Sequence, residues 1–203
     1  ICSVTMNAAK SVTATFNLIP FDYSLSVPGV TITQGSVASQ TVTVTKTQGT
    51  AQAVTITTGT LPSGVTLTSA NNQVCTPTTG SCSVTFTYSA TTSAIIGTSS
   101  ISYTGTSSGV APKSGTFSLT VNAIPTFTLS VTKTGLGTVT SNPTGINCGA
   151  TCSASYNSGT IVNLSASPDA GYTFGNWSGA CTGTGICSVT MNAAKSVTAT
   201  FNL

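Results

Sequence analysis

The first eighteen residues of the chain, Ile1 to Leu18, recur letter for letter as its last eighteen, Ile186 to Leu203. Unrelated segments of this length do not match by chance, and diverged repeats would carry substitutions. The recurrence therefore predicts a tandem array of near-identical units with a period of about 185 residues. In such arrays each domain contacts mainly its neighbours. A chain built in this way is expected to have a mechanical role.

The charged residues argue against catalysis. The chain lacks His, Arg and Glu, and its only acidic residues are Asp22 and Asp169. General acid–base catalysis usually needs His or a carboxylate near its target, and a paired mechanism needs two carboxylates close together. The two Asp fall in different predicted domains. We therefore expect no enzyme, no catalytic or cofactor-binding residues, and no calcium site, which would need several oxygen ligands.

Other partners are excluded on similar grounds. The five Lys are scattered singly and form no basic patch, so no nucleic-acid partner is expected. No apolar run approaches the roughly 20 residues of a membrane span. These 203 residues are therefore expected to contain no membrane-spanning segment.

Alternation of apolar residues with Thr or Ser is the main structural signal. This period of two predicts β-strands almost throughout, and the abundance of Val, Ile and Thr argues against disorder. Seven short strands separated by Gly, Pro and Asn predict an immunoglobulin-like β-sandwich over residues 19–123. Its inward-facing residues are expected to be Leu25, Val27, Val42, Val44, Val54, Ile56, Val84, Phe86, Tyr88, Ile101, Tyr103, Phe117, Leu119 and Val121.

Two motifs resemble known families of bacterial surface proteins. The segment LPSGVTLT, Leu61 to Thr68, resembles bacterial immunoglobulin-like modules. Beyond a short linker, AIPTF, the motif GYTFGNW and the closing AKSVTATF of residues 137–201 resemble the divergent internalin B-repeat family. That resemblance implies a small, mostly β, β-grasp-like module over residues 124–203, used in tandem as a spacer or stalk. It identifies no ligand. Residues 1–18 would then be the C-terminal hairpin of the preceding repeat.

The seven Cys predict disulfides. Cys2 is the copy of Cys187, and the other six fall into local pairs: Cys75 with Cys82, Cys148 with Cys152, and Cys181 with Cys187. Disulfides imply an oxidising, exported location, and loops this short gain about 2 kcal/mol each. Crossed pairing within the second domain stays open. A zinc site is the rival for the last four Cys, but the C-x₅-C spacing does not suit it.

Two sets of apolar residues have predicted roles. Tyr172, Phe174 and Trp177 are expected to form the core of the second domain, the rival being a platform for stacking sugars. Val4, Met6, Val12 and Phe16 are expected to make inter-unit contacts. Residues 1–18 should either pack on the following immunoglobulin-like domain or complete a domain of a neighbouring copy, in the hairpin conformation of residues 186–203.

These observations together predict a non-enzymatic structural repeat of a long extracellular bacterial fibre, surface appendage or adhesin stalk. Its partners would be neighbouring copies of the same repeat, with any host or surface ligand bound by another part of the protein. Two alternatives stay open: a subunit polymer assembled by strand donation from residues 1–18, and a carbohydrate-binding surface module.

Overall fold

The computed structural model describes residues 1–203 and is all-β, as the alternating sequence predicts. The chain divides into two compact units, Ile1–Asn122 and Ala123–Leu203. No helix is present, and therefore none that is long and apolar enough to cross a membrane.

The first domain is an immunoglobulin-like sandwich of two sheets, which confirms the predicted fold class. One sheet has the order β1-β3-β7-β5 and the other the order β2-β9-β8-β4-β6. The strands are β1 (Asp22–Ser26), β2 (Val30–Thr33), β3 (Val37–Gln48), β4 (Val54–Thr58), β5 (Val65–Leu67), β6 (Gln73–Cys75), β7 (Ser81–Ala90), β8 (Gly97–Ser107) and β9 (Val110–Asn122).

The core between these two sheets contains most of the predicted inward-facing residues. Leu25, Val27 and Tyr103 are only half-buried at its margin. Sequence reasoning missed β2 and β6, since strands of four and three residues are too short to show clear alternation. It therefore missed the buried Val30 and Ile32 of β2. It also missed five buried apolar residues outside these two strands, namely Phe21, Tyr23, Val65, Ala90 and Ala94.

The second domain also consists of two sheets, each of four strands. Their orders are β13-β10-β17-β15 and β12-β11-β14-β16. The first and last strands, β10 and β17, lie side by side and parallel in the middle of their sheet. The strands are β10 (Thr126–Thr134), β11 (Gly137–Asn142), β12 (Asn147–Cys148), β13 (Ser153–Asn157), β14 (Ile161–Pro168), β15 (Thr173–Gly179), β16 (Cys187–Thr190) and β17 (Lys195–Asn202).

A separate core holds the two sheets of the second domain together. Alternate residues of the central strands are buried in it, such as Leu129 and Val131 on β10 and Val197 and Ala199 on β17. The turn after β10 depends on Gly135, whose φ is +80°. A Cβ there would also collide with the carbonyl oxygen of Phe201, so the turn requires glycine.

The N-terminal segment, Ile1–Leu18, does not adopt the expected hairpin. It contains no strand, and all of its residues are exposed, whereas the identical Ile186–Leu203 contains β16 and β17. The expectation that it packs on the following immunoglobulin-like domain is therefore wrong for this chain. The physical reason is that β16 and β17 form by pairing with β14, β10 and β15. No second copy of these three partner strands lies beside residues 1–18.

Candidate functional site

In both domains a strand near the beginning pairs in parallel with the last strand. In the first domain β2 pairs with β9 from Val30 opposite Leu119 onward. In the second, β10 pairs with β17 from Leu129 opposite Lys195 to Thr134 opposite Thr200. The chain therefore enters the second domain along β10 and ends it along β17. These two strands are hydrogen-bonded neighbours that run in the same direction. A pulling force applied to the two ends of that domain would therefore load this pair of strands.

Three short loops are closed by disulfides in the structure. Cys75 at the end of β6 is bonded to Cys82 on β7, with Cα atoms 6.0 Å apart. In the second domain Cys148 is bonded to Cys152, with Cα atoms 4.2 Å apart, and Cys181 to Cys187, at 5.5 Å.

This pairing is local rather than crossed. It leaves no thiolate in the second domain to ligate zinc, and Cys2 is the one free cysteine. The chain contains no group of three metal-ligating side chains.

Trp177 lies beneath the loop that the Cys181–Cys187 disulfide closes. Its backbone N–H donates to the carbonyl of Gly183 and its indole Nε1–H to the carbonyl of Gly185, both at 2.7 Å. The ring of Phe174 packs against it with centroids 4.9 Å apart. Because Trp177 is 1% exposed, it presents no free ring face for stacking a sugar. Phe174 and Tyr172 are half-buried against the same core.

A shallow cleft of about 330 Å³ lies beside this tryptophan. Its walls are formed by β14, β15 and the closed loop, and they include the hydroxyl side chains of Ser165 and Thr184 but no charged side chain. The residues that line it are Leu164, Ser165, Ala166, Phe174, Trp177, Thr184, Gly185 and Ile186. The cleft therefore holds two hydroxyl groups but no acid or base beside them that could activate either one as a nucleophile.

The two acidic residues lie in different domains, as predicted. Asp22 pairs with Lys113 at 3.0 Å on the partly exposed surface of the sandwich. The hydrogen bond from Lys113, then the backbone N–H of Tyr23, hold the pKa of this carboxyl below its usual range. Asp169 lies in the turn before β15, where its carbonyl accepts a hydrogen bond from the N–H of Tyr172. Neither carboxyl has a second acid beside it.

Sequence reasoning missed a buried polar pair inside the sandwich. Gln40 on β3 is 2% exposed, and its Nε2 donates to the carbonyl of Pro28. The hydroxyl of Tyr88 on β7 donates a hydrogen bond to Oε1 of Gln40 at 2.7 Å. Burial raises the pKa of Tyr88 to about 12. The burial of Gln40 could have been inferred from the sequence, because alternation along β3 places it on the same face as Val42 and Val44.

Residues 127–203 match the family model of the divergent InlB B-repeat domain. No curated protein matches the chain.

Similarity to solved structures is low. The native conformation of E. coli alpha-2-macroglobulin aligns at 18% identity and a TM-score of 0.41, over 59% of this chain and 7% of that one. Domains 1–6 of the surface layer protein SbsC align at 15% identity and 0.32, over 92% and 23%. The titin domains z1z2 in complex with telethonin align at 13% identity and 0.33, over 93% and 98%. TM-scores this low support no conclusion about function.

The family match covers every strand of the second domain except the first residue of β10, and it includes the buried Trp177 and the central β17. Residues 127–203 of this chain form a divergent InlB B-repeat domain.

Proposed function

We propose that this chain is a force-bearing, non-enzymatic segment of a long extracellular bacterial fibre, surface appendage or adhesin stalk. Units of about 185 residues would follow one another in tandem, each with one immunoglobulin-like and one B-repeat domain. The B-repeat family and the disulfides support an exported, structural role. The recurrence of Ile1–Leu18 as Ile186–Leu203 supports the tandem arrangement.

The observation that carries this proposal is the parallel pairing of β10 with β17. When the chain is stretched, β10 is pulled at its beginning and β17 at its end. Because the strands are parallel, these forces act in opposite directions along the ladder. All of its hydrogen bonds are then loaded together in shear, whereas pulling both strands from one end would break them one at a time. Such a domain is built to resist extension.

The disulfides add to this resistance. Each closes a short loop, so the residues between the paired cysteines cannot be drawn out under load. Together with contacts between neighbouring units, these loops would stiffen the fibre. The partners in this proposal are therefore further copies of the same repeat.

Single-molecule force spectroscopy tests the proposal. The 203-residue chain is stretched between a handle before Phe127 and a handle after Leu203. In the matched control the second handle is attached at position 192, in the turn before β17, so that the same ladder is pulled from one end. We expect the rupture force of the second domain to be several-fold higher in the first geometry. Equal rupture forces in the two geometries would contradict a force-bearing design.

The covalent continuity of the fibre needs a separate measurement. Denaturing electrophoresis of native material, after reduction, should show a ladder or a very high mass. A single band near the 20.1 kDa of this chain would instead indicate a polymer of separate subunits.

A further inference from the structure

Each disulfide of the second domain joins one of its sheets to the other. Cys148 lies on β12, and its partner Cys152 immediately precedes β13 of the other sheet. Cys187 lies on β16, and its partner Cys181 follows just after β15 of the other sheet. β12 and β16 are the two opposite edges of one sheet, and β13 and β15 are the two opposite edges of the other. Both open sides of this sandwich are therefore closed by a covalent bond.

The disulfides also lie beside the two strands that a pull on the domain would load. The carbonyl of Cys152 accepts a hydrogen bond from the backbone N–H of Val131 on β10 at 2.7 Å. On the other side Ala180, which precedes Cys181, donates its N–H to the carbonyl of Ser196 on β17 at 2.9 Å. One disulfide is thus attached to β10 and the other to β17.

The second sheet of the domain lies between these two points of attachment. β12 pairs with β11 through Cys148 opposite Val139, and β16 pairs with β14 through Cys187 opposite Leu164. The central strands β11 and β14 pair over six positions, as many as β10 and β17 do. The disulfides and this sheet therefore connect β10 to β17 without using the hydrogen bonds between those two strands.

We propose that Cys148–Cys152 and Cys181–Cys187 couple the sheet β12-β11-β14-β16 to β10 and β17, so that both sheets of the domain resist extension together. This proposal rests on the mechanical function proposed above and states how the force is divided. When β10 and β17 are pulled in opposite directions, one disulfide draws β12 along with β10 and the other draws β16 along with β17. The ladder between β11 and β14 is then loaded in shear together with the ladder between β10 and β17.

Only a closed loop can transmit force before the first ladder breaks. A hydrogen bond with an N···O distance of about 2.9 Å is lost beyond about 3.5 Å, so the ladder between β10 and β17 breaks within about 1 Å of sliding. The Cα atoms of the bonded cysteines are 4.2 and 5.5 Å apart. Open loops with the same separations of 4 and 6 residues would reach about 14 and 22 Å, at about 3.6 Å per residue. Without the disulfides these loops would still be slack when β10 and β17 had separated.

Two turns also connect the sheets, but they lie at the ends of strands. One joins β10 to β11 around Gly135, and the other joins β16 to β17 around Asn192. Each turn doubles the chain back, so a pull on it would peel the next strand from its end, one pair at a time. The disulfides instead reach β11 at Val139 and β14 at Leu164, which lie within the ladder that these two strands share.

Force spectroscopy of cysteine variants, with the two handles at the ends of the second domain as above, tests the proposal. One variant carries Cys148→Ala and Cys152→Ala, a second carries Cys181→Ala and Cys187→Ala, and a third carries all four changes. In each two-cysteine variant we expect about half the rupture force of the unaltered chain, because one six-position ladder resists instead of two. Since the connection runs through both disulfides in series, removing both should lower the force no further.

Two controls separate shared force from a general loss of stability. With the second handle at position 192 the ladder is pulled from one end, and each variant should then rupture at the same force as the unaltered chain. The entropic effect of a disulfide acts on the unfolded chain and does not by itself change the force that breaks a folded ladder. Cys75→Ala with Cys82→Ala removes a disulfide between the two sheets of the first domain and should leave the rupture force of the second domain unchanged. Calorimetry shows that each variant is folded before it is pulled.

Several outcomes would overturn the proposal. Unchanged rupture forces in both two-cysteine variants would show that the second sheet carries no force. Losses that add when both disulfides are removed, or that are equally large with the handle at position 192, would show that each disulfide only stabilises its own loop. If the chain without these four cysteines does not fold, the two-cysteine variants in the two geometries decide alone. Equal rupture forces of the unaltered chain in both geometries would instead contradict the proposed function, so the two failures are distinguishable.

Discussion

Replacing Trp177 by Ala should destabilise the B-repeat domain far more than any surface change. The side chain is 1% exposed, contacts Phe174 at a centroid distance of 4.9 Å and donates from Nε1 to Gly185. Truncating a buried Trp to Ala costs about 3–5 kcal/mol. Since small domains have total stabilities near the lower end of ~5–15 kcal/mol, this loss removes most of the stability of the second domain.

Differential scanning calorimetry of the full chain measures this effect. For a domain of this size about 1 kcal/mol shifts the melting temperature by roughly 4–8 °C, so Trp177→Ala should lower the transition of the second domain by at least ~12 °C. The sandwich has a separate core, and its transition should stay in place as an internal control. Trp177→Phe keeps an aromatic ring but loses the indole donor, and should cost only about 1–2 kcal/mol.

The same measurement decides between a core residue and a sugar-binding platform. A ligand-stacking tryptophan contributes little to folding, so its removal would leave the transition of the second domain nearly unchanged. That result for Trp177→Ala would refute the reasoning above.

Three further predictions concern the disulfides and the buried tyrosine. Replacing both Cys148 and Cys152 by Ala should lower the free energy of unfolding of the second domain by about 2 kcal/mol, measured by denaturant titration. Reduction should lengthen the extension released when that domain unfolds under force by about 26 Å. The two loops would then contribute about 3.6 Å per residue over separations of 4 and 6 residues, instead of their closed Cα–Cα distances of 4.2 and 5.5 Å. Burial raises the folded-state pKa of Tyr88 to about 12, above its unfolded value of about 10. Its contribution to the stability of the sandwich should therefore be complete below pH ~10 and decline as the pH rises towards 12. Tyr88→Phe should flatten that decline in a pH series of melting temperatures.

How much of the fold was predictable depended on the length of each strand. β3 spans Val37–Gln48 and alternates buried Gln40, Val42 and Val44 with more exposed residues, so its pattern is unmistakable. β2 has four residues, and its partner β9 lies almost ninety positions further along the chain. Its burial is thus decided by tertiary pairing that a local pattern does not contain.

In the candidate site, too, the features set by local spacing were predictable and those set by tertiary pairing were not. The local spacing of the cysteines was enough to propose Cys75–Cys82, Cys148–Cys152 and Cys181–Cys187. The parallel pairing of β10 with β17 was not predictable, because alternation gives no information on strand order or direction. The segment Ile1–Leu18 is the clearest case: an identical sequence is a hairpin when its partner strands are present and is without strands here. Its structure is a property of the pairing rather than of the segment.

The last prediction concerns how units of the proposed fibre hold together. The chain carries a net charge of +3, and its one ion pair, Asp22 with Lys113, lies on a partly exposed surface. Repulsion between copies is therefore weak, and such a pair contributes little to stability. Few charges protect the Thr- and Ser-rich strand edges from pairing with another copy. We expect neighbouring units to contact one another through sheet edges or domain faces and to form an ordered filament. Raising the salt from ~10 mM to ~1 M shortens the Debye length about tenfold and should leave the filament intact in electron micrographs. Filaments that dissolve in salt, or that appear as beads on a freely bending chain, would show that such contacts are ionic or absent.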